Sequence, residues 1–433
     1  MKIGLKGLLC CVITSFAITT YSQTSQNNPG VMQLSLKEAQ DYALMHNKTV
    51  QNSGLAVSEA QKKVWETISA GLPQVNATLD YSNMLGFKMS LFGQSIALEP
   101  TSSLQASVTQ LLFSGSYWIG VKMTRLAKDM TETMKLQSEL DIKQQTQTAY
   151  LSILVAEKNK EILEKNLENI KKLAQATEDM VRTGVAEQTD ADQIKVQVGA
   201  VMNGIKSVER AVELSYNLIR FHLGVEMDTK IVLKETLEDL MNGKSAQETL
   251  TTGFDINSNF NIQLMDKQIE LANKQIQMEQ ASYLPTIAMF YNYTYKLKAS
   301  TFDMTPQNVI GMQASMPIFN SGQRRAKYQQ AKIKYETANN NRDLVSEQLL
   351  MQEKQLRYNL NNAIESLELQ EETYNVSQRV FDSIMRKYRQ GVASSLDVTT
   401  ANTSLLQAQS NYISAMMNVI SAQTELEKLL NTL

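Results

Sequence analysis

Cysteine is almost missing. The chain of 433 residues holds 2, Cys10 and Cys11, and only 2 histidines, His46 and His222. No Cys or His stands at ligand spacing around either histidine, which argues against a Cys/His metal centre. Neither has a nucleophile motif beside it, so both read as helix-surface or capping residues. Proline is sparse as well: Pro29, Pro73, Pro100, Pro285, Pro306 and Pro317, with none between 101 and 284. Proline removes a helix hydrogen bond and clashes with the preceding turn, so this gap permits long helices. An excess of charge is also lacking. With 42 Lys+Arg against 44 Asp+Glu the net charge is −2, too balanced to attract nucleic acid. No segment past the N-terminus carries 18 uncharged apolar residues, so no inner-membrane helix is expected. No polar cluster has catalytic spacing, and the chain reads as a non-enzyme that needs no cofactor.

What is present begins with a leader. Lys2 and Lys6 precede an apolar core from Leu8 to Ile18, and Thr19, Thr20 and Ser22 follow. This is the pattern of a secretory signal peptide over 1–22, cut after Ser22, with a linker over 23–33. Cys10 and Cys11 stand at the front of the apolar core, whereas a lipidated cysteine should follow it. The exported chain then has no cysteine.

The rest is written twice. Asn47-Lys48-Thr49-Val50 opens a helical stretch ending at Leu72-Pro73, and Asn259-Phe260-Asn261-Ile262 opens one ending at Leu284-Pro285. Leu112-Phe113-Ser114-Gly115 parallels Ile318-Phe319-Asn320-Ser321-Gly322, and Arg182-Thr183-Gly184-Val185 parallels Arg389-Gln390-Gly391-Val392. A period of roughly 210 residues is far longer than a solenoid unit and reads as an internal duplication. One half spans 34–224, with a helix, two strands near 72–113, a long helix over 116–183 and a helix over 187–223. A segment at 225–255 intervenes. The second half spans 256–433, with a helix, two strands near 284–319, a long helix over 323–390 and a helix over 393–431.

Each long helix would reach about 100 Å at 1.5 Å per residue. Leu356, Leu360, Ala363, Leu367, Gln370, Tyr374, Ser377, Phe381, Ile384 and Tyr388 alternate spacings of four and three, a coiled-coil seam. Leu163, Leu167, Ile170, Ala174, Thr177 and Val181 repeat it. Two shorter helices stacked end to end would supply an antiparallel partner for each long one. Ser35 with Glu38 is a capping box at the first helix start.

The strand segments alternate. Val75, Ala77, Leu79 and Tyr81 share one face, as do Met289, Tyr291, Tyr293 and Tyr295, and Ile310, Met312 and Ala314. The alternation around Leu104, Ala106 and Val108 is weaker. One apolar and one polar face suits a transmembrane barrel strand or an ordinary soluble sheet. Two hairpins cannot close around a channel, but an oligomer sharing strands can.

Together these residues carry a resemblance to the TolC-type outer-membrane efflux proteins, over about 34–431. The segments concerned are Leu34-Ser35-Leu36-Lys37-Glu38-Ala39, Leu72-Pro73-Gln74, Leu112-Phe113-Ser114-Gly115, Leu223-Gly224-Val225, Pro317-Ile318-Phe319-Asn320-Ser321-Gly322, and Tyr388-Arg389-Gln390-Gly391 with Asp397-Val398. The resemblance implies a mainly α fold with β: antiparallel helical coiled coils plus four transmembrane β-strands per protomer. It implies a homotrimer sharing a 12-stranded barrel in outer-membrane lipid. The implied function is the exit duct of a tripartite efflux pump or type I secretion system, opened by a periplasmic adaptor and an inner-membrane transporter. Residues 225–255, with Ile231-Val232-Leu233 and a short helix near 236–242, resemble the small equatorial region. The alternatives are a periplasmic adaptor, which should show a single hairpin, and a fibrous coiled-coil protein of the envelope, which should lack the strands.

Gly184 and Gly391 are placed to end the long helices as left-handed caps. The resemblance makes Gly184, Val185, Gly391 and Val392 the tips that meet an adaptor. Asp190 and Asp397 each fall six residues after their glycine, in a first helical turn where a carboxylate favours the dipole. The resemblance makes them an acidic ring at a tunnel entrance. Arg182 and Arg389 are candidates to pair with them, or are simply cations at a helix end. Ala393 stands where some family members carry a gate arginine, and Gln193 and Thr400 are neutral where a second acidic ring occurs.

Overall fold

The computed structural model describes residues 31–91, 94–97, 99–237, 239–240, 246–299 and 305–433. The expected leader, with Cys10 and Cys11, lies outside them, and the short helix near 236–242 is described only in part.

Ser35 starts the first helix, α1 (Leu36–His46), through the capping box: Glu38 N–H donates to Ser35 Oγ over 3.2 Å, and Ser35 N–H to Glu38 Oε2 over 2.8 Å. Residues 34–70 form two helices rather than the single one expected. Asn47 adopts extended backbone, ends α1 and caps α2 (Lys48–Ser69), its Oδ1 accepting from Thr49 N–H over 2.8 Å. The stretch 256–283 divides likewise. A 3₁₀ turn over Ile256–Ser258 stops at Asn259, whose Oδ1 accepts from Asn261 N–H over 2.9 Å to start α6 (Phe260–Ala281).

The two long helices are α3 (Gly115–Arg182, 68 residues) and α7 (Gln323–Arg389, 67 residues), each about 100 Å long. Each runs beside two shorter helices set end to end. Along α3 these are α2 and α4 (Gln188–Leu223), which meet where Asn47 Nδ2 donates to the His222 carbonyl over 2.8 Å. Along α7 they are α6 and α8 (Ser395–Leu430), which meet where Asn431 Nδ2 donates to the Ser258 carbonyl over 2.7 Å. The stripe read from the sequence is the seam: Leu356, Leu360, Ala363, Phe381 and Tyr388 are buried, with Leu367, Gln370, Tyr374, Ser377 and Ile384 half-buried among them. Leu163, Ile170 and Thr177 are buried on α3. Ile170, Leu173, Ile194, Phe381, Val398 and Leu405 form one core joining the α3/α4 hairpin to the α7/α8 hairpin.

A small lateral region packs midway along the helices. Strand β1 (Met32–Leu34) pairs in parallel with β6 (Ile231–Leu233), and α5 (Ala246–Thr251) follows. The fully buried Tyr150 on α3 donates its hydroxyl to the Leu34 carbonyl over 3.1 Å, fastening this region to the long helix.

At the opposite end from the hairpin tips lies a four-stranded antiparallel sheet in the order β2 (Gln74–Ser82), β5 (Thr101–Phe113), β7 (Thr286–Lys298), β8 (Asn308–Ser315). Strand β5 extends the weak alternation around Leu104 to 13 residues. Between β2 and β5 a further small hairpin, β3 (Lys88–Leu91) and β4 (Gln94–Ala97), appears that the sequence pattern did not indicate.

Candidate functional site

Two regions combine geometry with chemistry: the sheet and the hairpin tips. In the sheet, register decides the faces. Leu79 pairs with Leu104 and Leu104 with Tyr295; Ala77 pairs with Ala106 and Ala106 with Tyr293; Val75 pairs with Val108, Val108 with Tyr291 and Tyr291 with Ile310. Every apolar set therefore falls on one surface. Thr78, Gln105 and Thr294 line up on the other. The apolar surface is bare, with Leu79 and Ile310 68% and 73% exposed. Among the described residues, strands β2 and β8 each have a free edge.

At the tips, Gly184 (φ +76°) and Gly391 (φ +74°) occupy the left-handed conformation. Around Gly184, the Val185 N–H bonds the Met180 carbonyl over 2.9 Å and the Gly184 N–H bonds Val181 over 3.0 Å. Around Gly391, the Val392 and Gly391 N–H groups do the same to Lys387 and Tyr388, both over 2.9 Å. These are full Schellman caps. Such a motif commonly tucks the following apolar residue against the helix. Here Val185 and Val392 instead stand 72% and 74% exposed, leaving each tip with an apolar point.

Both aspartates stand at the third helical position and complete a capping box with the N-cap residue, Glu187 or Ser394. Asp190 Oδ2 accepts from the Glu187 N–H over 3.1 Å. Asp397 Oδ2 accepts from the N–H and the hydroxyl of Ser394, each over 2.8 Å, and the Ser394 N–H holds the Asp397 carboxyl below the usual carboxylate range. Among the described residues of this chain, neither aspartate forms an ion pair with Arg182 or Arg389. Arg182 pairs with Asp179 one turn earlier, and Arg389 sits in the last turn of α7 with Arg386 and Lys387. Asp190 is instead engaged by Ser395, whose hydroxyl donates to its Oδ1, with Gln193 Oε1 at 3.0 Å from the same hydroxyl. Ala393 is half-buried and Thr400 is exposed.

Ser395 opens a polar ladder that the sequence reading missed. Ser395, Asn402 and Gln409 stand seven residues apart on α8 and are 5%, 0% and 2% exposed. Asn402 accepts from Asn166 Nδ2 over 3.3 Å and donates to Gln197 Oε1 over 3.0 Å. Gln409 donates to Asn159 Oδ1 over 2.9 Å. These bonds tie the two hairpins together. Heptad spacing of polar residues among apolar ones was the available signal. The buried Tyr388 hydroxyl has no hydrogen-bond partner among the described residues. Among those residues no group of three His, Cys, Asp or Glu is placed to hold a metal ion.

The family model described as outer membrane efflux protein matches residues 40–225 and 256–432. The outer membrane protein TolC of Salmonella enteritidis is 21% identical over 434 residues, covering 98% of this chain and 86% of that protein. Among solved structures, CusC, studied for its transmembrane channel formation, superposes with a TM-score of 0.75 at 17% identity, covering 92% of each chain. The outer membrane protein VceC of Vibrio cholerae superposes with a TM-score of 0.71 at 16% identity, covering 91% of this chain and 95% of that one.

Proposed function

The chain belongs to the outer membrane efflux protein family, whose place is the outer membrane, and we propose that it is the passive exit duct of a tripartite efflux pump or a type I secretion system. One observation carries this reading: the sheet has a single bare apolar face and two free edges. Because β2, β5, β7 and β8 alternate in direction, β8 of one copy meets β2 of the next antiparallel, so copies can continue the sheet until it closes and no edge remains. Two copies give eight strands, a barrel about wide enough to be filled by its own side chains; three give twelve and room for a channel. The apolar face then meets lipid, and the Asn, Thr and Gln face lines the lumen.

A second apolar row on α7 supports the trimer. Leu344, Met351, Tyr358, Leu369 and Val376 are all exposed, and their spacing puts them on the side away from the seam. Neighbouring copies packing there would join the hairpins into a periplasmic tunnel. The like order of elements in the two halves is accounted for by an internal duplication. At the tunnel's far end, Val185 and Val392 with Gly184 and Gly391 would meet the adaptor, and the inner-membrane transporter would supply the energy. In a trimer Asp190 and Asp397 would place about six carboxylates around the mouth, favouring cations. Arg182 and Arg389 would supply the gate pairing between copies. A single-hairpin adaptor does not account for two hairpins, nor a fibrous protein for the sheet.

The test is fractionation followed by unboiled gels and planar-bilayer recording of the full chain. An outer-membrane, heat-modifiable trimer with discrete conductance is the expected result. A soluble periplasmic monomer without conductance would overturn the reading.

A further inference from the structure

Helix α7 begins against its own dipole. Its first turn holds no acidic residue, and its cap, Gly322, gives no side-chain bond. Instead Arg324, Arg325, Lys327, Lys332 and Lys334 follow before the first acid, Glu336. Cations near a helix N-terminus are unfavourable, and among the described residues none of these five is in an ion pair. The starts of α1 and α8 show the usual arrangement, with Glu38 and Asp397 in the first turn. Helices α2, α3 and α6 also lack an acid in the first turn, but α7 alone carries five cations before its first acid, and such a departure from local preference marks a place where something outside the chain is served.

The surroundings identify it. Just before the helix, Ile318 and Phe319 are 91% and 86% exposed, at the helix end of the sheet. Arg324 lies over the Tyr283 ring at 5.1 Å, with Nη2 buried and without a hydrogen-bond partner among the described residues. Arg325 and Lys327 are exposed. At 1.5 Å per residue they stand within about 6 Å of the helix start, inside one Debye length of roughly 8 Å. The opening of α3 repeats the arrangement: Trp118 is 60% exposed, and Lys122 and Arg125 precede the first acid, Asp129. Apolar and aromatic groups directly bordered by cations match the boundary of a bilayer whose headgroups are anionic.

We propose that this strand-to-helix junction, from Ile318 to Lys327, docks on the periplasmic leaflet of the outer membrane and holds the phosphates of anionic glycerophospholipids. Ile318 and Phe319 enter the acyl region, and Arg325 and Lys327 meet the headgroups. The inference rests on the barrel reading above, which places the sheet in the membrane.

The experiment uses the full chain in proteoliposomes, with its two tryptophans, Trp65 and Trp118, replaced by phenylalanine and one reporter introduced, either Phe319→Trp or Tyr291→Trp on the apolar sheet face. Quenching by acyl-brominated phosphatidylglycerol is compared with quenching by brominated phosphatidylcholine at equal mole fraction and low salt. The Phe319→Trp reporter should show a preference of about fivefold or more for the anionic lipid. Arg325→Gln with Lys327→Gln should bring that preference close to one, and Arg325→Lys with Lys327→Arg should keep it. Equal quenching by both lipids, or a preference untouched by the glutamine pair, would overturn the proposal. So would a quenched Tyr291→Trp reporter beside an unquenched Phe319→Trp reporter, which means that another copy covers the junction. If neither reporter is quenched, the barrel reading itself fails and the proposal with it.

Discussion

Asn402, with no solvent exposure, donates from Nδ2 to Gln197 Oε1 over 3.0 Å while accepting from Asn166. This links α8 of one hairpin to both helices of the other. A buried polar layer of this kind fixes register at some cost in stability.

Asn402→Leu alone strands Gln197 and Asn166 and should cost about 1–3 kcal/mol. Replacing Asn402, Asn166 and Gln197 together by leucine should recover most of that stability but loosen the register. Thermal denaturation reads the first effect. Disulfide trapping between paired cysteines on α3 and α8 reads the second, helped by the absence of cysteine beyond residue 11. A triple variant that traps only the native pairs would show that register is set elsewhere.

The aspartates of the tips have two separable roles. From the third helical position asparagine can still accept the backbone N–H of the N-cap residue, Glu187 or Ser394, but it carries no charge. Asp190→Asn with Asp397→Asn should therefore leave thermal stability within about 0.5 kcal/mol per site and lower cation selectivity and multivalent-cation block in planar bilayers. The alanine pair should lower both, with about 0.5–1.5 kcal/mol lost per site as the N–H of Glu187 or Ser394 loses its acceptor. Unchanged selectivity in both pairs would leave the aspartates with capping alone.

On the seam, Leu360 is 0% exposed, so Leu360→Asp buries an unpaired charge and should cost several kcal/mol. Leu367 is only half-buried, and Leu367→Asp should cost less. Glu365 is exposed and, among the described residues, accepts only from Asn361 on its own helix, so Glu365→Lys should be tolerated within about 0.5 kcal/mol. Trimer yield on unboiled gels ranks the three.

Gly224 (φ +70°) closes α4 where a Cβ would lie 2.6 Å from the His46 carbonyl oxygen. Gly184 has the same backbone sign and open space. Gly184→Ala should cost only the left-handed strain of about 1–2 kcal/mol. Gly224→Ala should cost clearly more, because backbone must move. Equal melting temperatures for the two variants would contradict this.

Burial holds the His222 imidazole below its ordinary pKa of about 6.5, and its Nδ1 is buried without a hydrogen-bond partner among the described residues. With the folded-state pKa depressed, both states are neutral above about pH 6.5. Below that the unfolded chain takes up the proton first, so stability falls as pH drops toward the folded-state value. His222→Phe should flatten that part of the stability-versus-pH curve. An unaltered slope would place the acid sensitivity in other groups.

Much of the architecture was legible in sequence because it rests on period and punctuation. The four-three stripe from Leu356 to Tyr388 marked the seam, the proline-free spans marked the long helices, and Gly184 and Gly391 marked their ends. These are local properties that helix geometry and left-handed caps impose on any chain. The repeat marked Asn47 as the opening of a helical stretch, but the end of α1 at the same residue was hidden because the helical pattern continues on both sides. The partner of Asp190 was hidden too: Ser395 lies 205 residues away, and no periodicity specifies which hairpin meets which. Likewise, alternation showed that each strand has an apolar face, but only register across β2, β5, β7 and β8 brought those faces onto one surface and left two edges free. A single strand's pattern is unchanged by a one-residue slip that would turn its face over, so that choice belongs to the pairing of strands, which the tertiary structure alone decides.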